Sequence, residues 1–306
     1  MNWLILVAIA VLSDSTRIFI DNYVSDTYFK GREAASQKLF YGYCFTIVGI
    51  IVSLISGVNP SISPTSIALI AGAGFFSALA GVAYYRALEL DDSTNIGIFT
   101  QLSPVFYLIL GWFFLDQSFS PMQLIAFIVI LSAPFLIIAT TKKRSRHIRI
   151  KAVLYAFLYV LIAVTGNLLF VKAGTTNYNF IQDLAILFFF KGLSGILIVY
   201  SYPKFRRRFY AVVKRSHHKV LRPMSINFII GIIKEFSYRG ALAAAPAVAL
   251  ASVASDSAEP IFIFFLGLLL TLIWPKFGRE KLDRKTIIVH LMATVLVVIG
   301  IVLLQM

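Results

Sequence analysis

The sequence predicts an all-α membrane protein of ten transmembrane helices, arranged as two inverted five-helix repeats. Three observations predict it. Mean hydropathy is +0.84, with 59% hydrophobic and 14% charged residues, where a water-soluble domain runs near 45–50% apolar and about 25% charged. The apolar residues gather in ten stretches, each near the roughly 20 residues that cross a hydrocarbon core. A residue pattern in the fourth stretch recurs in the ninth.

The expected spans are 2–21, 39–56, 66–88, 94–115, 121–140, 152–171, 181–202, 224–243, 248–272 and 286–304. The first is interrupted by Ser13, Asp14, Ser15 and Arg17 and has no positive residue before it. It therefore reads as a span and not as a cleaved leader. Between the spans the charge is one-sided. Lys30, Arg32 and Lys38 follow the first span, Lys142 to Lys151 the fifth, Lys204 to Arg222 the seventh, and Lys276 to Lys285 the ninth, so that 22 of the 28 basic residues share one face. By the positive-inside rule that face is cytoplasmic and both termini lie outside. The loops at 57–65, 116–120 and 244–247 carry no Lys or Arg. The net charge of +14 is thus a topology signal and an attraction to anionic lipid, not the mark of a nucleic-acid binder.

The fourth and ninth spans match at a constant offset of 156: Pro104-Val105-Phe106 with Leu110-Gly111 falls on Pro260-Ile261-Phe262 with Leu266-Gly267. Tyr85-Arg86 resembles Tyr238-Arg239 upstream, and Ala126 and Ala133 fall on Ala293 and Gly300 downstream. Five helices per copy is an odd number, so the second copy enters the membrane upside down relative to the first. The domains are then 1–141 for the first repeat, 142–151 for a basic cytoplasmic linker and 152–306 for the second repeat. Pro104 and Pro260, inside apolar spans, each remove a backbone hydrogen bond and are expected to kink their helices.

The run Thr100-Gln101-Leu102-Ser103-Pro104-Val105-Phe106, followed by Gly111-Trp112-Phe113-Phe114-Leu115, a polar turn and Gln123, resembles the end of the first repeat in EamA-type members of the drug/metabolite transporter superfamily. Glu259-Pro260-Ile261-Phe262 through to Gly300 is similar in the second copy. Gln117 stands where the family usually has an acidic residue, and Ala126 and Ala133 where glycines are common. The resemblance implies a transporter, and cytoplasmic termini. The charge count places the termini outside and is kept, because it is read from this chain.

Ionisable groups inside a span cost several kcal/mol unless paired or hydrated, which makes each one a candidate for a substrate or proton pathway. Asp14, Arg17 and Asp21 are spaced i, i+3, i+7, so Arg17 can bridge two carboxylates on one stripe. Glu235 and Arg239 form an i, i+4 pair, with Lys234 pointing elsewhere. Ser252, Asp256 and Glu259 lead up to Pro260, with the two acids about 12 to 17 Å along their span at ~1.5 Å per residue. At the repeat offset Asp256 corresponds to Thr100, and Glu259 to Ser103, so one copy offers hydroxyls where the other offers acids. Polar positions beside broken helices at the middle of the bilayer are where inverted-repeat transporters hold substrate. Lys234 or Lys191 neutralising the acids as a structural pair is the competing reading. Lys172, Asp183 and Lys191 read as interfacial or packing charges, and His290 as a packing histidine.

No phosphate-binding glycine loop, no HExxH and no nucleophile–His–acid spacing occurs, and the single Cys44 can form neither an internal disulfide nor a Cys/His zinc site. The expectation is therefore no enzyme, no cofactor and no metal. It is a multi-pass transporter of the cell membrane, exporting a small polar or zwitterionic metabolite by alternating access, with a proton as coupling ion. The partners expected are a small-molecule substrate and the lipid bilayer, with no nucleic acid. The alternative is a lipid-handling or accessory membrane subunit, with Phe188-Phe189-Phe190 and Phe264-Phe265 lining a greasy groove.

Overall fold

The structure, a computed structural model, describes residues 2–29, 34–57, 62–90, 102–141, 150–174, 179–273 and 284–304. Among the described residues there is no strand, and the helices are α1 Trp3–Val24, α2 Lys38–Ser56, α3 Pro64–Leu90, α4 Ser103–Leu115, α5 Pro121–Thr141, α6 Ile150–Gly174, α7 Phe180–Ser201, α8 Pro203–Ala244, α9 Val248–Ile273 and α10 Arg284–Leu304. Six stretches are long and apolar enough to cross a membrane: Trp3–Phe29, Ala35–Ser56, Pro64–Ala87, Ile150–Gly174, Phe180–Ser201 and Val248–Leu270. Ser103–Leu115, Pro121–Ala133 and Ile287–Leu303 are shorter apolar helices. The eighth expected span, 224–243, is helical but carries Lys234, Glu235 and Arg239, too many charges to stand with the apolar six.

One expectation is corrected at 203–222. That basic stretch is not a loop: it is the first part of α8, which bends at Ser216 (φ −134°, ψ 29°) and carries Pro223 further on. Helix formation there follows from the apolar spacing i, i+4, i+7 of Phe205, Phe209 and Val212, all buried. The linker residues 142–149 lie outside the described residues.

The chain forms two compact units: one of Met1–Tyr23, Gln101–His147 and Ile230–Met306, the other of Val24–Thr100 and Ile148–Ile229. In the second unit α3 packs on α6 and α7, and α2 packs on α7. The α2–α7 contact is backbone to backbone. A Cβ on Gly49 would meet the Phe189 backbone, and one on Gly192 would meet Thr46, so small residues let the two helices touch where no hydrophobic driving force separates lipid from protein. Around this seam the Phe45 ring packs tilted against Phe188 and edge-to-face against Phe228, with ring centroids 5.3 and 5.0 Å apart, and the Asn227 amide donates to the Tyr41 hydroxyl at 2.8 Å.

In the first unit α5 packs on α10, and α9 packs on α4, α5 and α10. Ala126, Ala133 and Ala293 are fully buried, and a Cβ on Gly300 would run into Ile130. The small residues that the expected repeat would align, Ala126 and Ala133 with Ala293 and Gly300, belong to two helices that pack together. Turns set the ends: Asp116 adopts a left-handed conformation (φ 52°) to close α4.

Candidate functional site

The first unit holds the charged groups of α1, of the last part of α8 and of α9. On α1 the expected ladder forms: Arg17 Nη1 lies 3.2 Å from Asp14 Oδ1 and its Nη2 lies 3.9 Å from Asp21 Oδ2. The i, i+3, i+7 spacing brings all three onto one stripe, and burial in an apolar helix leaves the pairing as the way to keep them charged.

Lys234 does not point away. Its Nζ lies 3.2 Å from Asp14 Oδ2, so Asp14 is held between a cation of its own helix and one of α8. The same ammonium sits 5.3 Å from the centre of the Tyr238 ring, a cation–π distance. The long-range pair was out of reach of local spacing, because it joins residues far apart in sequence. Gly231 makes it possible: a Cβ there would stand 3.2 Å from Arg17 Nε, so the missing side chain lets the guanidinium lie against α8. Glu235 and Arg239 pair as their spacing predicts, Nε to Oε2 at 3.5 Å, with Arg239 only 2% exposed.

On α9, Asp256 Oδ2 accepts two hydroxyl hydrogen bonds: one from Ser103 Oγ of α4 and one from Ser252 Oγ at 3.2 Å. The repeat aligned Ser103 with Glu259, but the fold brings it to Asp256. Equivalence under the expected repeat would mark matching places in two copies, and it does not say which residues touch. Neither Asp256 nor Glu259 has a Lys or Arg within ion-pair distance among the described residues, so Lys234 does not neutralise them by direct pairing. Lys191 belongs to the other unit, where its Nζ lies 4.6 Å from the Phe45 ring centre.

The prolines differ. α9 runs continuously through Pro260, which has no N–H to give the carbonyl four residues back, that of Asp256. Carboxylate and under-bonded carbonyl therefore coincide at one residue. Among the described residues α4 begins at Ser103, with Val105 N bonded to the Leu102 carbonyl at 3.0 Å. Pro104 thus occupies a first-turn position, where its missing donor costs nothing, and not the interior of a helix. Thr100 lies outside the described residues, as does the side chain of His290.

Two contributors escaped the sequence reading. Tyr107 of α4 is buried, and its hydroxyl shares a 3.2 Å hydrogen bond with that of Tyr238; a lone tyrosine in an apolar run carries no local signal. Gln117, read as a departure from the family's acid, accepts from the Val248 backbone N–H at 3.2 Å through its Oε1 and so satisfies a donor at the N-terminus of α9. The phenylalanine runs mix packing and surface: Phe188 and Phe264 are buried, and Phe265 is exposed.

Chemically, the unit presents a salt-bridged group (Asp14, Arg17, Asp21, Lys234), a buried pair (Glu235, Arg239), and two acids with no cation at ion-pair distance among the described residues, one of them bound by hydroxyls. Such an arrangement can hold a proton or a positively charged group. A search of the curated proteins finds no match. A solved crystal structure is similar over 99% of this chain and 96% of its own, with a TM-score of 0.63 and 15% sequence identity, a likeness that shows the fold alone. The EamA-like transporter family model matches residues 2–139, the stretch that carries α1 and α4, so this part of the chain is similar to the EamA-like transporter family.

Proposed function

We infer that the chain is a secondary transporter that exports a small polar or zwitterionic metabolite across the cytoplasmic membrane by alternating access, with a proton as coupling ion. The ten-span inverted repeat with both termini outside is the frame of this reading. The observation that carries it is the placement of Asp256. Its carboxylate sits in an apolar helix, receives two hydroxyl donors from Ser103 and Ser252 and lies beside the carbonyl that Pro260 leaves under-bonded. A half-buried carboxylate in an apolar helix, with no cation at ion-pair distance among the described residues, is costly. A transport cycle that brings it a proton or an amine relieves that cost in the loaded state, and its return empties the site. Asp14, Arg17, Asp21, Glu235 and Arg239 form the charged wall of the pathway, with Glu259 one turn beyond Asp256.

The test is a thermal-stability screen of the purified protein against metabolite classes. A ligand that binds only the folded state, at about a hundred times its Kd, adds roughly 2.7 kcal/mol to stability. An amine-bearing metabolite is expected to stabilise the wild type and not Asp256→Asn, and to be carried into proteoliposomes. If compounds that stabilise the protein do so equally in Asp256→Asn, the site lies elsewhere. If nothing that binds is carried, the protein is not a transporter of these metabolites.

A further inference from the structure

In the second unit an apolar stripe, a chain of tyrosine hydroxyls and a basic helix follow one another. Tyr43, Ile47, Ile50 and Leu54 occupy positions i, i+4, i+7 and i+11 of α2, and all four are exposed, Leu54 to 78%. Over eleven residues the stripe covers about 16 Å at ~1.5 Å per residue, close to the depth of one leaflet, half of a core roughly 30 Å thick. At its Tyr43 end three hydroxyls form a chain: Tyr43 to Tyr200 at 2.9 Å and Tyr200 to Tyr210 at 3.1 Å.

The chain crosses from α2 to the end of α7 and on to α8. A single residue, Tyr202, separates these last two helices; the Phe205 N–H returns to its carbonyl at 3.0 Å and starts α8. The start of α8 is amphipathic. Phe205, Phe209 and Val212 are buried, while Lys204 and Arg207 are exposed. The Arg206 guanidinium lies over the Tyr200 ring at 5.4 Å, which holds it beside the hydroxyl chain. From Tyr202 to Arg222 there is no acidic residue.

We propose that this face binds one anionic glycerophospholipid. An acyl chain lies along the Tyr43–Leu54 stripe, the phosphate meets the Tyr43–Tyr200–Tyr210 hydroxyls and Arg206, and Lys204 and Arg207 supply the remaining positive charge. Hydroxyls and guanidinium donate to phosphate oxygens, as such groups do wherever phosphate is recognised. The stripe is what a soluble phosphate ester has no use for, and it selects a lipid. The absence of carboxylates along 202–222 leaves a choline or ethanolamine cation without a partner, which selects an anionic headgroup. Tyrosines at the join of apolar and charged surface are placed as membrane-interface residues are.

The experiment follows thermal unfolding of the full-length protein in a neutral detergent while it is titrated with phosphatidylglycerol, with phosphatidylcholine of the same acyl chains, or with sn-glycerol 3-phosphate. Phosphatidylglycerol is expected to raise Tm saturably, and the other two to leave it unchanged. Removing two charges with Arg206→Gln/Arg207→Gln should weaken the apparent affinity for phosphatidylglycerol about thirtyfold. Tyr200→Phe, which deletes a single oxygen and leaves the packing intact, should weaken it roughly fivefold, and it serves as the test if the double variant does not fold. An equal shift from phosphatidylcholine would mean general solvation of an apolar face, and an equal shift from glycerol phosphate would mean a site for soluble anions. Either result, or unchanged affinity in the variants, overturns the proposal.

Discussion

Asp14 stands between two cations, and removing it should cost more than removing either of them. At 3.2 Å from Lys234 and an effective dielectric of about 20, the gross attraction is about 5 kcal/mol. Desolvation takes back most of it. Because the Lys234 and Asp14 side chains are 22% and 28% exposed, a net coupling of about 1.5 kcal/mol is expected. Lys234→Gln leaves Asp14 with Arg17 at 3.2 Å and should destabilise by about 1 kcal/mol. Asp14→Asn leaves Lys234 and Arg17 near each other without the carboxylate between them, Arg17 keeping its longer contact to Asp21 at 3.9 Å, and should cost about 2–3 kcal/mol. Asp14→Asn/Lys234→Gln should then be more stable than the single losses together imply. The assay is reversible unfolding in mixed micelles of dodecyl maltoside and SDS, followed by tryptophan fluorescence. Additivity of the three variants within about 0.5 kcal/mol, or equal costs for the two single variants, would refute the bridging role.

Further predictions follow from other contacts. Gly192→Ala drives a Cβ into Thr46 and should cost about 1–3 kcal/mol by overpacking, whereas Gly195→Ala, whose Cβ would lie 3.7 Å from Gly42 Cα, should be near neutral; Tm values of the two variants check this. Tyr107→Phe and Tyr238→Phe should each lose about 0.5–1.5 kcal/mol, and the double variant no more than the larger single loss, measured in the same micelle assay. Impermeant reagents should label cysteines placed at Met1 and Met306 on intact cells, while one at Arg207 should react only after permeabilisation. The reverse pattern would restore the cytoplasmic termini that the family resemblance implies.

How far the sequence carried depended on the range of the interaction. Periodic signals were legible: continuous apolar runs marked the helices, and the i, i+3 and i, i+4 spacings of Asp14–Arg17 and Glu235–Arg239 anticipated real pairs. The helix at 203–215 was missed because six Lys and Arg residues in it dominate the composition and conceal the stripe of Phe205, Phe209 and Val212. Lys234 with Asp14, Ser103 with Asp256 and Tyr107 with Tyr238 join helices distant in the chain, and no local pattern encodes such neighbours. Pro104 moved from mid-helix to first turn because hydropathy continues across 94–115, and an apolar run gives no sign of where hydrogen bonding begins.

The central claim is that Asp256 and Glu259 carry the proton or cation that transport exchanges. It is tested most directly in proteoliposomes, using the radiolabelled compound that best stabilises the protein, by comparing gradient-driven accumulation with counterflow exchange in wild type, Asp256→Asn and Glu259→Gln. Loss of accumulation with exchange preserved is predicted for the residue that carries the proton, and loss of both for the residue that binds substrate. Full accumulation with unchanged pH dependence in both variants would contradict the account and leave the two acids a structural role.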